Sequence, residues 1–158
     1  MLLWVRGETM IQLIPVSAKN KEEILKLSLL PSQTHFIESV EDCLKEADAL
    51  PLWKPVGIYD DETLIGFAMY GLWKTEGDHG RVWLDRFLID QSQQKKGYGK
   101  KALIALIQHI FNHYDDEEVY LSLYEDNTVA LHLYKKLGFL FNGEKDIHNE
   151  QIMVLKKT

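Results

Sequence analysis

The sequence predicts an α/β fold with a mixed central β-sheet flanked by helices on both faces. Strand-like and helical segments follow one another in the order β, α, α, β, β, β, α, β, α, β, β. The three central strand-like runs are joined by short polar turns, as in an antiparallel meander. The later β-α-β succession needs a crossover and therefore a parallel pair. A length of 158 residues, 46% of them hydrophobic and 27% charged, suits one domain with an ordinary core.

Each element has its own signal. Met10 precedes the first clean strand, residues 11–16. Residues 1–9 are therefore expected to be an extension outside the fold, and residues 10–158 the single domain. Residues 19–29 place Ile24, Leu27 and Leu30 near helical spacing until Pro31 stops the helix. Residues 37–47 carry Ile37, Val40, Leu44 and Ala47 as an apolar helical stripe with acids on the other sides. Residues 54–59 and 64–73 read as strands joined at Asp60, Asp61 and Glu62, and residues 81–90 as a third strand after a turn at 75–80. The clearest helix follows, with Leu103, Leu106, Ile107, Ile110, Phe111 and Tyr114 at i, i+3, i+4, i+7, i+8 and i+11. Residues 118–124 form a strand. A helix over 127–137 ends at Gly138, a C-terminal glycine behind Lys135 and Lys136. Residues 139–141 and 151–155 are the last strands.

Composition excludes several functions. Eighteen Lys and Arg against twenty-four Asp and Glu give a net charge of −6, which argues against a nucleic-acid partner and suits a cationic small molecule. One cysteine, Cys43, excludes an intramolecular disulfide and a Cys-rich zinc site. It falls among Val40, Leu44 and Ala47, a core position rather than that of a nucleophile. No run approaches the ~20 apolar residues of a membrane span. The first residues lack the basic region of a signal peptide. A cytoplasmic protein without a membrane partner is expected. His109 and His113 are spaced i, i+4 but have no evident third ligand, so no metal is expected.

Two segments point to chemistry. Around residues 88–101 a strand ends, a polar loop with Gly97 and Gly99 follows, and the periodic helix begins. Glycines let a backbone approach a ligand closely. The free N–H groups and positive dipole end of the helix suit an anion such as a pyrophosphate, and Lys95, Lys96, Lys100 and Lys101 add charge. The stretch lacks the Gly-Lys-Ser/Thr ending of a P-loop and is not the Gly-x-Gly-x-x-Gly fingerprint. Taken alone, it equally suits a glycine-containing turn before a helix with solvated lysines. In the second segment Ala130, Leu133, Tyr134 and Leu137 share one helical face, with Asn127 nearly in line with Tyr134.

Gln94, Lys95, Lys96, Gly97, Tyr98 and Gly99 resemble the Gln/Arg-x-x-Gly-x-Gly/Ala signature of the GNAT N-acetyltransferases. Asn127, Ala130, Tyr134, Gly138 and Phe139 resemble that family's next conserved helix, in the same order and separation. Pro55 to Gly57, Gly66 to Gly71, Gly80 to Phe87 and Phe141 to Glu144 are similar to its polyamine-acetylating branch.

The resemblance implies the GNAT fold, acetyl-CoA as donor, a polyamine such as spermidine or spermine as acceptor, and a homodimer. It implies that backbone groups of Phe87, Leu88 and Ile89 hold the acetyl carbonyl and pantetheine arm. Gln94, Lys95, Lys96, Gly97, Tyr98, Gly99 and Lys100 would wrap the pyrophosphate. Asn127 and Ala130 would hold the pantetheine, and Tyr134 would lie near the thioester sulfur.

The reaction needs two proton movements. An alkyl amine with a pKa of ~10.4 arrives protonated and must lose a proton before attack. The departing thiolate must gain one. Tyr134 has the type and place of the general acid, although the same position suits a core tyrosine with its hydroxyl hydrogen-bonded. Asp85 lies mid-strand, expected on one pleat face with Trp83 and Phe87. It reads as the base or amine anchor, or else as a structural ion pair with Arg86 or Arg81. Glu38 and Glu41, near the start of the second helix, would add negative charge for a polycation or simply complement the helix dipole. His35 could line the acceptor site. Direct transfer in a ternary complex is expected. The alternatives are another small amine, an aminoglycoside or a protein amino group as acceptor, or a non-catalytic acyl-CoA-binding module.

Overall fold

The computed structural model describes residues 2–4, 10–36 and 38–158, with side chains from residue 10 onward except at 35 and 36. The strands are β1 Leu2–Trp4, β2 Met10–Pro15, β3 Trp53–Asp60, β4 Thr63–Trp73, β5 Arg81–Ile89, β6 Glu118–Leu123, β7 Leu140–Lys145 and β8 Gln151–Lys156. The helices are α1 Lys21–Leu25, α2 Val40–Ala49, α3 Tyr98–His113 and α4 Thr128–Lys136. Short 3-10 helices cover Pro31–Phe36 and Gln91–Gln93. The strands form one sheet in the order β1-β2-β3-β4-β5-β6-β8-β7. Every neighbouring pair is antiparallel except β5 and β6, which are parallel and joined by the α3 crossover. This is the predicted mixed sheet. Of the nine-residue extension, Leu2–Trp4 adds an edge strand to β2; residues 1 and 5–9 lie outside the described residues, as does Ile37.

The sheet has a core on each face. On one side Ala102, Leu103, Ala105, Leu106, Ile107 and Ile110 of α3 pack on Ile11, Val56, Ile65, Val82 and Leu121, with α4 residues Ala130, Leu133 and Tyr134 against them. On the other, Ile24 of α1 and Val40, Cys43 and Leu44 of α2 pack on Trp53, Phe67, Met69 and Leu88. Cys43 is thus a core residue, and burial pushes its thiol up to about 12.

Helix α1 is shorter than its spacing predicts. The Ser28 N–H donates to Asp90 Oδ1 at 2.8 Å, and the Ser28 carbonyl accepts from Gln91 N at 2.8 Å. These bonds draw the chain out of the helix toward the end of β5. The segment before α2 was expected to be helical from residue 37. The helix instead starts at Val40, where the Ser39 side chain accepts from Asp42 N.

Strand β5 carries the feature that shapes the site. Met69 pairs with Arg86 and Tyr70 with Leu84, so Asp85 is an extra residue on β5, a β-bulge. Before the bulge, Val82 and Leu84 face the α3 core while Trp83 packs against the α2 core. After it, Phe87 and Ile89 face the α3 core and Leu88 the α2 core. The expectation that Trp83 and Phe87 share a pleat face with Asp85 is therefore wrong. It assumed uninterrupted alternation, and the bulge shifts the phase by one residue.

Candidate active site

The sheet opens at its centre. Strands β5 and β6 pair only at Val82 with Val119 and Trp83 with Tyr120. Beyond that, β6 continues along β8 and Gly66 to Ala68 of β4 stay paired to β5, so residues 84–89 have no strand partner on the β6 side. A cavity of about 1310 Å³ fills this wedge, lined by Leu84 to Ile89 of β5, Leu121 and Ser122 of β6, and Asn127, Ala130, Leu133 and Tyr134 beside α4. Phe87, Leu88 and Ile89 thus present an open backbone edge.

At one end the cavity meets the start of α3. Gly97, the residue preceding this helix, has φ +83 and no side-chain cap. A left-handed φ of this kind favours glycine, and the uncapped first turn leaves its N–H groups for a ligand. Lys95, Gly97, Tyr98 and Gly99 line this end. Lys96 is exposed beside it and donates to Gln93 Oε1 at 3.2 Å, and Lys100 is exposed as well. The Tyr98 hydroxyl donates to Asp60. Gln94 also lines the cavity, but its side chain is a strut: Nε2 donates to the Ile89 carbonyl at 2.9 Å, and its amide pairs reciprocally with that of Gln33. An extended anion such as a nucleotide diphosphate fits this end on three grounds: the unmasked helix terminus, the lysine and the open strand edge.

Tyr134 lines the cavity while also packing against the α3 core. Burial raises its pKa. It keeps its proton at neutral pH and presents it to the cavity. Asn127 precedes α4 without capping it, so its side-chain amide is likewise available to a ligand.

The other end is acidic. Glu38, Glu46, Asp85, Asp146 and Glu150 all line the cavity, and the first three meet one guanidinium, that of Arg86. Arg86 Nη1 lies 2.7 Å from Asp85 Oδ2, and Nη2 lies 2.9 Å from Glu38 Oε2 and 3.9 Å from Glu46 Oε2. Burial opposes the Arg86 charge, but its carboxylate partners, Asp85 foremost, hold it protonated. One cation cannot neutralise the group. Burial raises the Asp85 pKa against the pull of Arg86, with Glu38 adding to the rise. Burial also raises Glu46, together with Glu38. Such a basin attracts a ligand carrying several ammonium groups.

Asp85 therefore combines both sequence readings, as an ion-pair partner of Arg86 and as a cavity residue. Glu38 lines the basin. Glu41 does not; it is on the exposed side of α2, 3.6 Å from Lys45. The His35 side chain lies outside the described residues. His109, half of the candidate metal pair, is hydrogen-bonded through Nε2 to the Tyr70 hydroxyl at 2.7 Å. Sequence reasoning missed Glu46, Asp146 and Glu150, and named Arg86 only as a possible partner of Asp85. Glu46 had a usable signal, two helical turns beyond Glu38 on an acidic helix. Asp146 and Glu150 had none, because only the β7–β8 hairpin brings them over Asp85.

Residues 22–139 match the model of the acetyltransferase (GNAT) family. The chain is 46% identical over 147 residues to the spermine/spermidine N(1)-acetyltransferase of Bacillus subtilis, covering 91% of this chain and 97% of that one. Its fold is similar to the crystal structure of spermidine N-acetyltransferase from Vibrio cholerae in complex with CoA and spermine. The TM-score is 0.70 at 16% identity, over 93% of this chain and 95% of that one. It is also similar to the aminoglycoside N(6')-acetyltransferase of Legionella pneumophila, with a TM-score of 0.74 at 19% identity over 94% and 93% of the two chains.

Proposed function

Because the chain belongs to the acetyltransferase (GNAT) family, we propose that it transfers the acetyl group of acetyl-CoA to a primary amine of spermidine or spermine by direct attack in a ternary complex. The observation that carries this reading is the cavity that joins an open strand edge and helix terminus to five carboxyl groups, three of them around Arg86. A donor with a diphosphate and a polycationic acceptor meet there from opposite ends. The 46% identity to a spermine/spermidine N(1)-acetyltransferase supports the same acceptor.

In this reading the α3 terminus, with Lys95, Gly97, Tyr98 and Gly99, holds the diphosphate. The β5 edge and Asn127 hold the pantetheine arm, and the acetyl thioester lies near Tyr134. The thioester supplies the activated acyl carbon. Asp85, Glu38 and Glu46 draw in the ammonium groups of the acceptor. The amine loses a proton and attacks, the C–N bond forms and the C–S bond breaks. Tyr134 donates to the departing sulfur and is reprotonated from the nitrogen of the tetrahedral adduct, which becomes the amide. Because its phenol is held protonated, it acts as a donor throughout. Cys43 lies in the core on the α2 side and takes no acyl group. The working form is a homodimer in the cytoplasm; the exposed β7 edge, where Leu140 is 72% exposed, supports association through the C-terminal strands.

The test is free-thiol release from acetyl-CoA against spermidine, spermine, lysine, an aminoglycoside and a peptide amine. Saturable release with the polyamines is expected. Release with the aminoglycoside alone would move the acceptor to that class while leaving the transfer chemistry in place.

A further inference from the structure

The β7–β8 hairpin holds a carboxyl pair over the acceptor end of the cavity. The Asp146 N–H donates to the Glu150 carbonyl at 3.0 Å, which closes the turn. Asp146 Oδ1 then accepts from the His148 and Glu150 N–H groups, both at 2.9 Å. The Asp146 side chain and its charge are among the causes that raise the Glu150 pKa. Two neighbouring carboxyl groups do not ionise equally, and their surroundings decide which keeps its proton longer. Burial works against the Asp146 charge, but two backbone N–H groups, Glu150 and Ser122 stabilise it. Asp146 is the ionised member. Glu150 accepts no such set of bonds and is the member whose pKa is raised. Both residues line the cavity that contains Tyr134.

We propose that Glu150 is the group that takes the proton from the attacking ammonium, with Asp146 as its positioning partner. This rests on the amine N-acetyltransferase reading above and identifies the base within it. Of the carboxylates in the basin, Asp85 and Glu38 are committed to Arg86 at 2.7 and 2.9 Å. Glu150 faces Arg86 and Asp85 only through space. The ammonium gives one proton to the Glu150 carboxylate, directly or through a water, and the freed amine forms the C–N bond. The nitrogen of the adduct then loses its second proton toward the sulfur as the C–S bond breaks. Glu150 returns its proton to solvent. The sum is one ammonium and one thioester converted to one amide, one thiol and one proton. Three influences set the point at which Glu150 is free to accept: burial, the side-chain interaction with Asp146 and the negative charge of Asp146, with Arg86 opposing and Asp85 adding. Together they bring it to about 7, which suits a base working near neutrality.

The experiment compares wild type, Glu150→Gln and Asp146→Asn by the pH dependence of kcat with saturating spermidine and acetyl-CoA. Acetyl-CoA affinity of each protein, measured by calorimetry, serves as the control for folding. Wild type should show an acidic limb centred near pH 7, rising with pH as Glu150 deprotonates. Glu150→Gln should lower kcat by about 100-fold or more and abolish the limb. Asp146→Asn should move the limb to lower pH, because it removes the charge that raises Glu150. A Glu150→Gln enzyme within about three-fold of wild type, or with its limb intact, overturns the proposal. A limb unmoved in Asp146→Asn does so independently. Failure of wild type to release thiol with any amine would instead refute the acetyltransferase reading itself.

Discussion

Replacing Arg86 by methionine tests how the acidic basin is held together. The side chains of Arg86 and Asp85 are only 16% and 23% exposed, and 2.7 Å apart. Removing one member of a buried pair strands the other charge, which typically costs about 3–5 kcal/mol. Asp85 can partly escape by taking a proton, so about 3 kcal/mol is expected at pH 8. Glu38 and Glu46 also lose a partner, but at 48% and 41% side-chain exposure they are screened and add little. In a chain of this size, about 3 kcal/mol lowers Tm by roughly 6–12 °C. The pH dependence follows from the direction of the Asp85 shift. Its folded pKa is already raised by burial and rises further without the guanidinium. The folded state then binds the proton more tightly than the unfolded state does. The loss of stability is therefore small at low pH and grows as pH rises through the folded pKa. Thermal unfolding between pH 5 and 8 should show the Tm gap widening with pH. The double variant Asp85→Asn/Arg86→Met removes the stranded charge and should recover most of the loss. Equal Tm gaps at pH 5 and 8, or a double variant no better than the single one, would refute the reasoning.

Tyr134→Phe should lower kcat by roughly 10²–10⁴-fold while leaving acetyl-CoA affinity nearly unchanged, since it removes a proton donor and no donor-site contact area; steady-state rates and calorimetry measure the two. Gly97→Ala should cost about 1–2 kcal/mol, because a Cβ there meets nothing within 4 Å and the penalty is that of φ +83 alone. Gly97→Asn should cost less, and CoA binding should weaken in both, as chemical unfolding and calorimetry would show. Cys43→Ala should keep kcat. In the native wild type the thiol should resist an aromatic disulfide reagent until the protein unfolds, because burial has pushed it up to about 12.

The sequence exposed those parts of the fold that are written locally. The apolar period of α3, the glycine at the end of α4 and the turn between β3 and β4 are each set within a few turns of chain, and the structure reproduces them within a few residues. The glycine loop proposed to hold the donor was legible for the same reason: a strand, the loop and a helix are contiguous between residues 81 and 113. What escaped was set at a distance. Helix α1 stops where Asp90, 62 residues away, captures the Ser28 N–H. Glu150 reaches Asp85 only because β8 pairs with β6 and carries the hairpin over the wedge.

The acceptor end depends most on one such non-local event. In a regular strand Asp85 and Arg86 would point to opposite faces, and neither could both pair with the other and face the same cavity. The bulge that leaves Asp85 without a partner on β4 removes that constraint. Arg86 can then reach Asp85, Glu38 and Glu46 together. The same one-residue shift turns Phe87 and Ile89 toward the α3 core at the place where β6 departs. A single extra residue on β5 thus sits where the open strand edge and the arginine-centred cluster meet.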